Sequence, residues 1–521
     1  MKTSAKRAWI SWALVFLCFI IVCLWMARAY PLQLTSDASA ELLISRFLAD
    51  EGKLLSENFY YSTELRVVDS NLVFAPLFGL FSGWRTVRIL GTVLLHVLML
   101  ASLVFLCRAA GLEKAAPLFV LFWLLPFSKM LLHNVLLFAY YDPVHIPLCL
   151  GLGLSLLAGE EGRRGRVALL LSLPVAFLAG LNGMRAAVAI YLPLLAALAA
   201  VRLLNPAREL ARQKRCLTAS AAALLAAVCG YGINSLFLAR RYHFASYDRL
   251  SFVPFSFGRL ELALDAWLEC LGYQEGPVFS FSFVYCAMAG ALALLSLFAV
   301  LTVLRRREAY SLSAQMLTLF YAASLLLMLL IFSLSNMPFN NRYLLTTAAL
   351  VLFPLYLCFA NDAVFPKGKR LLALLLALCL LSSALQMRTA LRHDQTASRR
   401  EAAAFLAAEG YHEGYATFWN ASVLTEFSDG AIEVWAWPDG RVEGPDRVYE
   451  WLQPVSHSLT RPAGKCFVLL DSHEAKKARK DCPGLRDEDL IFQSEAGEGA
   501  PCLVWGYDSP EELAAAFAVD S

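Results

Sequence analysis

Asp37 and Glu41 stand four residues apart in the stretch Leu34-Thr35-Ser36-Asp37-Ala38-Ser39-Ala40-Glu41. On a helix that spacing puts both carboxylates on one face. A carboxylate just outside a membrane can act as a general base, taking the proton of an acceptor hydroxyl or amine as that group attacks. The same residues have a plain structural use. Thr35, Ser36 or Asp37 can cap a helix running to about Leu48, and acids favour a first helical turn. Spacing alone leaves both uses open.

Further polar groups punctuate the apolar chain. Glu64, Arg66 and Asp69 follow Tyr60-Tyr61 and suit either a polar cleft or the rim of an interfacial helix. Tyr140-Tyr141-Asp142-Pro143-Val144-His145 reads as a helix start, with Asp as cap and Pro at the first position. Tyr141 and His145 beside Asp142 also offer stacking and hydrogen-bonding groups to a sugar. Arg185 lies in the tight loop Leu181-Asn182-Gly183-Met184-Arg185, and Arg342 stands just before Tyr343-Leu344-Leu345. A guanidinium in either place can bind a phosphate in a bidentate manner or reach up to lipid headgroups.

The elements that must hold these residues are membrane helices. Of the 521 residues, 59% are hydrophobic and only 17% charged, against about 45–50% and about 25% in soluble domains. Apolar runs long enough to cross a bilayer fall at roughly 9–26, 89–107, 115–132, 144–158, 167–181, 186–203, 217–238, 279–304, 312–334, 343–360 and 371–387. That makes about eleven transmembrane helices.

Charge orients them. Lys2, Lys6 and Arg7 precede the first run, and alternate connections carry Arg108 and Lys114, then Arg163, Arg164 and Arg166, then Arg208, Arg212, Lys214 and Arg215. Arg305–Arg307 and Lys367, Lys369 and Arg370 continue the alternation. By the positive-inside rule the N-terminus is cytoplasmic, so Asp37, Asp142, Arg185 and Arg342 all fall in outer loops. The basic residues are scattered between apolar runs, which excludes a nucleic-acid partner. Span cores hold few polar groups, chiefly His96 and Asn234, both suited to helix packing.

The tail is different. Residues 401–521 carry 9 Lys+Arg and 22 Asp+Glu, a balance of −13, against +16 for residues 1–400. Short apolar runs at Ala431–Trp437, Cys466–Asp471, Leu490–Phe492 and Cys502–Tyr507 alternate with helical patterns at Arg399–Glu409 and Asn420–Phe427. Strands alternating with helices indicate a small α/β domain. The expected organisation is therefore mainly α. A polytopic helical membrane domain spans 1–387, and an extracytoplasmic α/β domain spans 388–521. Cys466, Cys482 and Cys502 allow one disulfide there, with the pair open. No cofactor or metal pattern is present in the sequence.

A first helix closely followed by an outer-loop Asp, a second outer loop ending in Tyr-Asp-Pro, and a late Asn-Arg-Tyr-Leu-Leu segment together resemble the GT-C class of membrane glycosyltransferases. The nearest in style are the protein O-mannosyltransferases and the lipid A aminoarabinose transferases. The resemblance implies a polyprenyl-phosphate sugar donor, a glycan, lipid or protein acceptor, and metal-independent inverting transfer at the outer face of the cell membrane. It puts Asp37 at the catalytic first-loop position and Asp142 at the second-loop position. The class's Glu-Lys-Pro-Pro stretch is absent here, where Leu65-Arg66 follows Glu64. Arg185 and Arg342 would hold the donor phosphate, with Glu41, Glu64, Tyr141 and His145 lining the substrate. A lipid or polysaccharide transporter with a cargo-binding outer domain is the other reading, although it would call for polar residues at mid-membrane.

Overall fold

The structure, a computed structural model, describes residues 2–244, 251–277, 279–280, 282–438, 442, 444–445, 447–481, 485–495 and 499–517. The chain folds as two compact units. The first comprises Met1–Trp25, Leu95–Phe237 and Tyr247–Arg388, and the second Met26–Leu94, Leu238–Ser246 and Thr389–Ser521.

Among the described residues eight helices are long and apolar enough to cross a membrane: Ala8–Gln33, Trp84–Ala109, Ala187–Leu204, Leu210–Arg240, Ser282–Arg305, Leu312–Leu334, Asn341–Phe359 and Gly368–Ala408. A ninth arises if the bent pair Lys129–Leu137 and Asp142–Ala158 is one span. The count of eleven is not reached, for two physical reasons. Pro126 denies the run expected at 115–132 a continuous hydrogen-bond ladder, and the helix Ala116–Trp123 stops before it. The run expected at 167–181 is helical over Gly162–Gly180, but Arg163, Arg164 and Arg166 occupy its first turns. Its apolar part is then shorter than a bilayer requires.

Packing within the first unit depends on close helix approach. A Cβ on Gly180 would meet the Ala227 carbonyl oxygen at 2.0 Å, and one on Gly230 would meet that of Phe177 at 2.2 Å. These glycines let helices Gly162–Gly180 and Leu210–Leu236 touch backbone to backbone. Asn234 donates to the Leu181 carbonyl at 2.6 Å in the same seam.

The second unit contains two sheets. Strand β1 (Phe59–Tyr61) pairs in parallel with β2 (His243–Phe244) and antiparallel with β5 (Gln453–Pro454). The larger sheet runs β4-β3-β6-β8-β7, from β3 (Glu413–Thr417), β4 (Glu433–Trp437), β6 (Cys466–Asp471), β7 (Leu490–Gln493) and β8 (Cys502–Tyr507). Strands β4, β3 and β6 are parallel, while β8 and β7 add antiparallel pairs. Ala402, Leu406, Leu424, Val434, Phe467 and Val504 pack on one face of it. Tyr415, Trp435, Trp437, Val468 and Trp505 pack on the other.

Four of its strands and both expected helices lie where the sequence puts them. Strand β3 does not announce itself, because Gly414 and Ala416 weaken its strand pattern. Gly414 is needed there, since a Cβ would strike the Phe467 ring at 2.5 Å. Cys466 and Cys502 are free, buried thiols at opposite ends of the β6–β8 pairing, opposite Tyr507 and Asp471 respectively. They do not pair with each other, and Cys482 lies outside the described residues.

Candidate active site

The second unit holds Asp37, Glu41 and Glu64. Helix Ser36–Glu51 is capped by the Thr35 hydroxyl oxygen, which accepts from the Ala38 amide at 3.4 Å. Thr35 thus does the capping, and Asp37 sits half-buried in the first turn. Glu41, one turn on, is buried and accepts a hydrogen bond from the Ser70 hydroxyl through Oε1. Its Oε2 is buried with no hydrogen-bond partner. Burial pushes the Glu41 carboxyl up to about 8, and the charge of Asp69 adds to the effect. The Ser70 bond, then Arg88 and Arg66, oppose it. Glu64 and Asp69 both face Arg66, at 3.7 and 3.4 Å.

Arg88 belongs to the same unit and is almost wholly buried. Its Nε donates to Glu426 Oε1 at 3.1 Å, and its Nη2 to Glu426 Oε2 at 2.7 Å. Nη2 also donates to the Ala38 carbonyl oxygen at 2.8 Å. Arg88 carries a signal in the sequence as well: like Arg185 and Arg342 it stands in a connection that the alternation of charge is expected to put outside, against the positive-inside bias.

In the first unit the chain approaches Asp142 through an unusual turn. A π-helical turn, Leu132–Leu137, is followed by Ala139 in the left-handed region at φ 52°, and the chain then bends by 89° into helix Asp142–Ala158. Tyr141 holds the cap position and Asp142 is the first helical residue, so the helix starts one place earlier than the sequence suggested and Asp142 is not its cap. The buried Asp142 carboxylate meets His96 Nδ1 at 2.6 Å through Oδ2, and its Oδ1 is buried without a hydrogen-bond partner. His145 is buried with its ring edge-on to Trp123, 4.9 Å between centres.

The two arginines share this unit and its tyrosines. The Arg185 guanidinium carbon lies 4.6 Å from the Tyr343 ring centre and 5.6 Å from that of Tyr141. That of Arg342 lies 5.5 Å from the Tyr140 ring centre. Asn340 Oδ1 accepts from the Arg342 amide at 3.0 Å and from its Nε at 3.3 Å, fixing the arginine at the start of its span. Tyr140 and Tyr141, 5.9 Å apart, join the pairs into one aromatic and cationic cluster. Rings at such distances attract and orient a guanidinium cation. Among the described residues no group of three or more His, Cys, Asp or Glu is placed to hold a metal ion.

No family model and no curated protein matches the sequence. Solved structures do match the fold. The chain is similar to the crystal structure of ArnT from Cupriavidus metallidurans bound to undecaprenyl phosphate, with 13% identity, a TM-score of 0.53 and 99% of each chain covered. It is also similar to the apo state of that protein, with 14% identity and a TM-score of 0.55, covering 99% of this chain and 100% of that one. The chain thus has the ArnT fold, in keeping with its resemblance to the GT-C class.

Proposed function

We propose that this protein is a GT-C membrane glycosyltransferase that moves a sugar from a polyprenyl-phosphate-linked donor to an acceptor at the outer face of the membrane. In this reading Asp37 takes the proton of the acceptor hydroxyl or amine. The acceptor atom forms its bond to the anomeric carbon as the carbon–oxygen bond to phosphate breaks, inverting the centre. The electron pair leaves with the polyprenyl phosphate, and Arg185 and Arg342 neutralise its charge. Glu41, Glu64, Asp142, Tyr141 and His145 are the further substrate-binding residues of this reading. The N-terminus is cytoplasmic and the tail extracytoplasmic.

The observation that carries the proposal is the likeness of fold, over nearly the full length of both chains, to a protein crystallised with undecaprenyl phosphate. The arginine–tyrosine cluster of the first unit supplies chemistry suited to such a phosphate. The test is mass spectrometry of envelope glycans and glycolipids from cells with and without the intact gene. Loss of one sugar substituent, restored by the gene, is the expected result. An unchanged glycan profile with altered lipid distribution would point to transport instead.

A further inference from the structure

Asp37 lies in the first turn of helix Ser36–Glu51, and the second unit ties that turn to the tail. Arg88 divides its donors between the Glu426 carboxylate, at 3.1 and 2.7 Å, and the carbonyl of Ala38, the residue after Asp37, at 2.8 Å. Arg88 and Glu426 are both buried, and the Phe74 ring centre lies 5.7 Å from the guanidinium carbon. The helix Phe418–Phe427 that carries Glu426 packs along helix Ser36–Glu51. Ser422 donates to the Ser36 carbonyl at 3.5 Å, and Asp429 accepts from the Trp84 amide at 2.9 Å. Two acidic residues of the tail therefore hold the start of the Trp84–Ala109 helix, and through Arg88 the first turn of the Asp37 helix.

We infer that Arg88 and Glu426 are positioning residues for Asp37, making the tail a part of the catalytic apparatus through this buried pair. The inference rests on the reading of Asp37 as the base. A buried pair that served only to fill space would be replaceable by apolar groups of similar size, since such replacements are often neutral or stabilising. A pair that sets the place of a carboxylate would not be, because a misplacement of about 1 Å costs about 100-fold in rate.

The test is the double variant Arg88→Met/Glu426→Leu, which leaves no unpaired buried charge. Transfer is read as the rate at which membranes regain the sugar missing from a gene-disrupted strain, and binding is measured with undecaprenyl phosphate. We expect transfer to fall about 10- to 100-fold, with undecaprenyl phosphate affinity and thermal midpoint near wild type, and faster hydrogen exchange in the amides of Ser36–Glu51. In an Asp37→Asn background the same double change should cost less than about twofold, because effects that act through one group are not additive. Wild-type transfer by the double variant, or its full cost persisting in the Asp37→Asn background, overturns the inference. If Asp37→Asn itself transfers normally, the base reading fails, while the exchange of Ser36–Glu51 still decides whether the pair holds that helix. Should the double variant not accumulate, Arg88→Lys replaces it. That change keeps the charge against Glu426 but lacks the planar fork that reaches carboxylate and carbonyl together, and wild-type transfer by it would equally overturn the inference.

Discussion

His96 Nδ1 lies 2.6 Å from Asp142 Oδ2, joining the helix Trp84–Ala109 to the first residue of helix Asp142–Ala158. His96 also contacts the Leu136 carbonyl oxygen at 2.9 Å through Nε2, so both ring nitrogens are engaged. Removing either partner strands the other in an apolar setting. His96→Ala should lower stability by about 1–3 kcal/mol, read as a fall in the thermal midpoint of the detergent-solubilised protein. An unchanged midpoint would show that the pair contributes little to the turn that presents Tyr140 and Tyr141.

The two arginines over tyrosine rings make a separate prediction. Arg185→Ala and Arg342→Ala should each weaken undecaprenyl phosphate binding about 10- to 100-fold, the range for losing a charge-assisted hydrogen bond. Lysine at either position keeps the charge but not the planar fork that binds phosphate in a bidentate manner. Its affinity should fall between those of wild type and the alanine variant. Equal affinity in all of these proteins, measured by titration, would remove both arginines from the phosphate site.

Glu41 sets a pH dependence whose sign follows from its burial. Its carboxyl is pushed up to about 8 in the folded protein, against about 4.3 in an unfolded chain. The folded state therefore holds the proton more tightly. The stability this contributes is complete below the unfolded value and is lost as pH rises through the folded one. The thermal midpoint of the wild type should fall between pH 5 and pH 8.5 more than that of Glu41→Gln, which stays neutral throughout. Parallel pH profiles for the two proteins would show that Glu41 does not titrate in this way.

Topology gives a fourth prediction. The proposed function has the N-terminus inside and the tail outside, as the alternation of basic connections leads one to expect. A reporter active only in the cytoplasm, fused to the C-terminus, should be silent, and one active only outside should be on. Strong cytoplasmic activity would reverse the parity and move Asp37 to the wrong face.

How much of this was legible in the residues varied with the length of the signal. The tail strands Cys466–Asp471 and Cys502–Tyr507 were readable because each is a compact apolar run bounded by polar residues, and both fall on the expected boundaries. Strand β3 was not, because its pattern is erased by a glycine that exists to admit the Phe467 ring. Long spans such as Leu312–Leu334 were plain, whereas Pro126 and the arginines of Gly162–Gly180 broke two others in ways a hydropathy run smooths over. Charge at an expected outer helix end singled out Arg185 and Arg342, and the structure sets them near the rings of Tyr343, Tyr141 and Tyr140. The partners of buried charges were not legible. Arg88 and Glu426 are 338 residues apart, and nothing in either local sequence names the other.

The role of Asp37 as the base is decided by one substitution, Asp37→Asn. Asparagine keeps the size of aspartate and favours a helix start about as well; Thr35 already caps this helix. A base at this position means that Asp37→Asn lowers sugar transfer about 10²–10⁴-fold, with undecaprenyl phosphate binding and thermal midpoint near wild type. Transfer at the wild-type rate by a folded Asp37→Asn protein would contradict it.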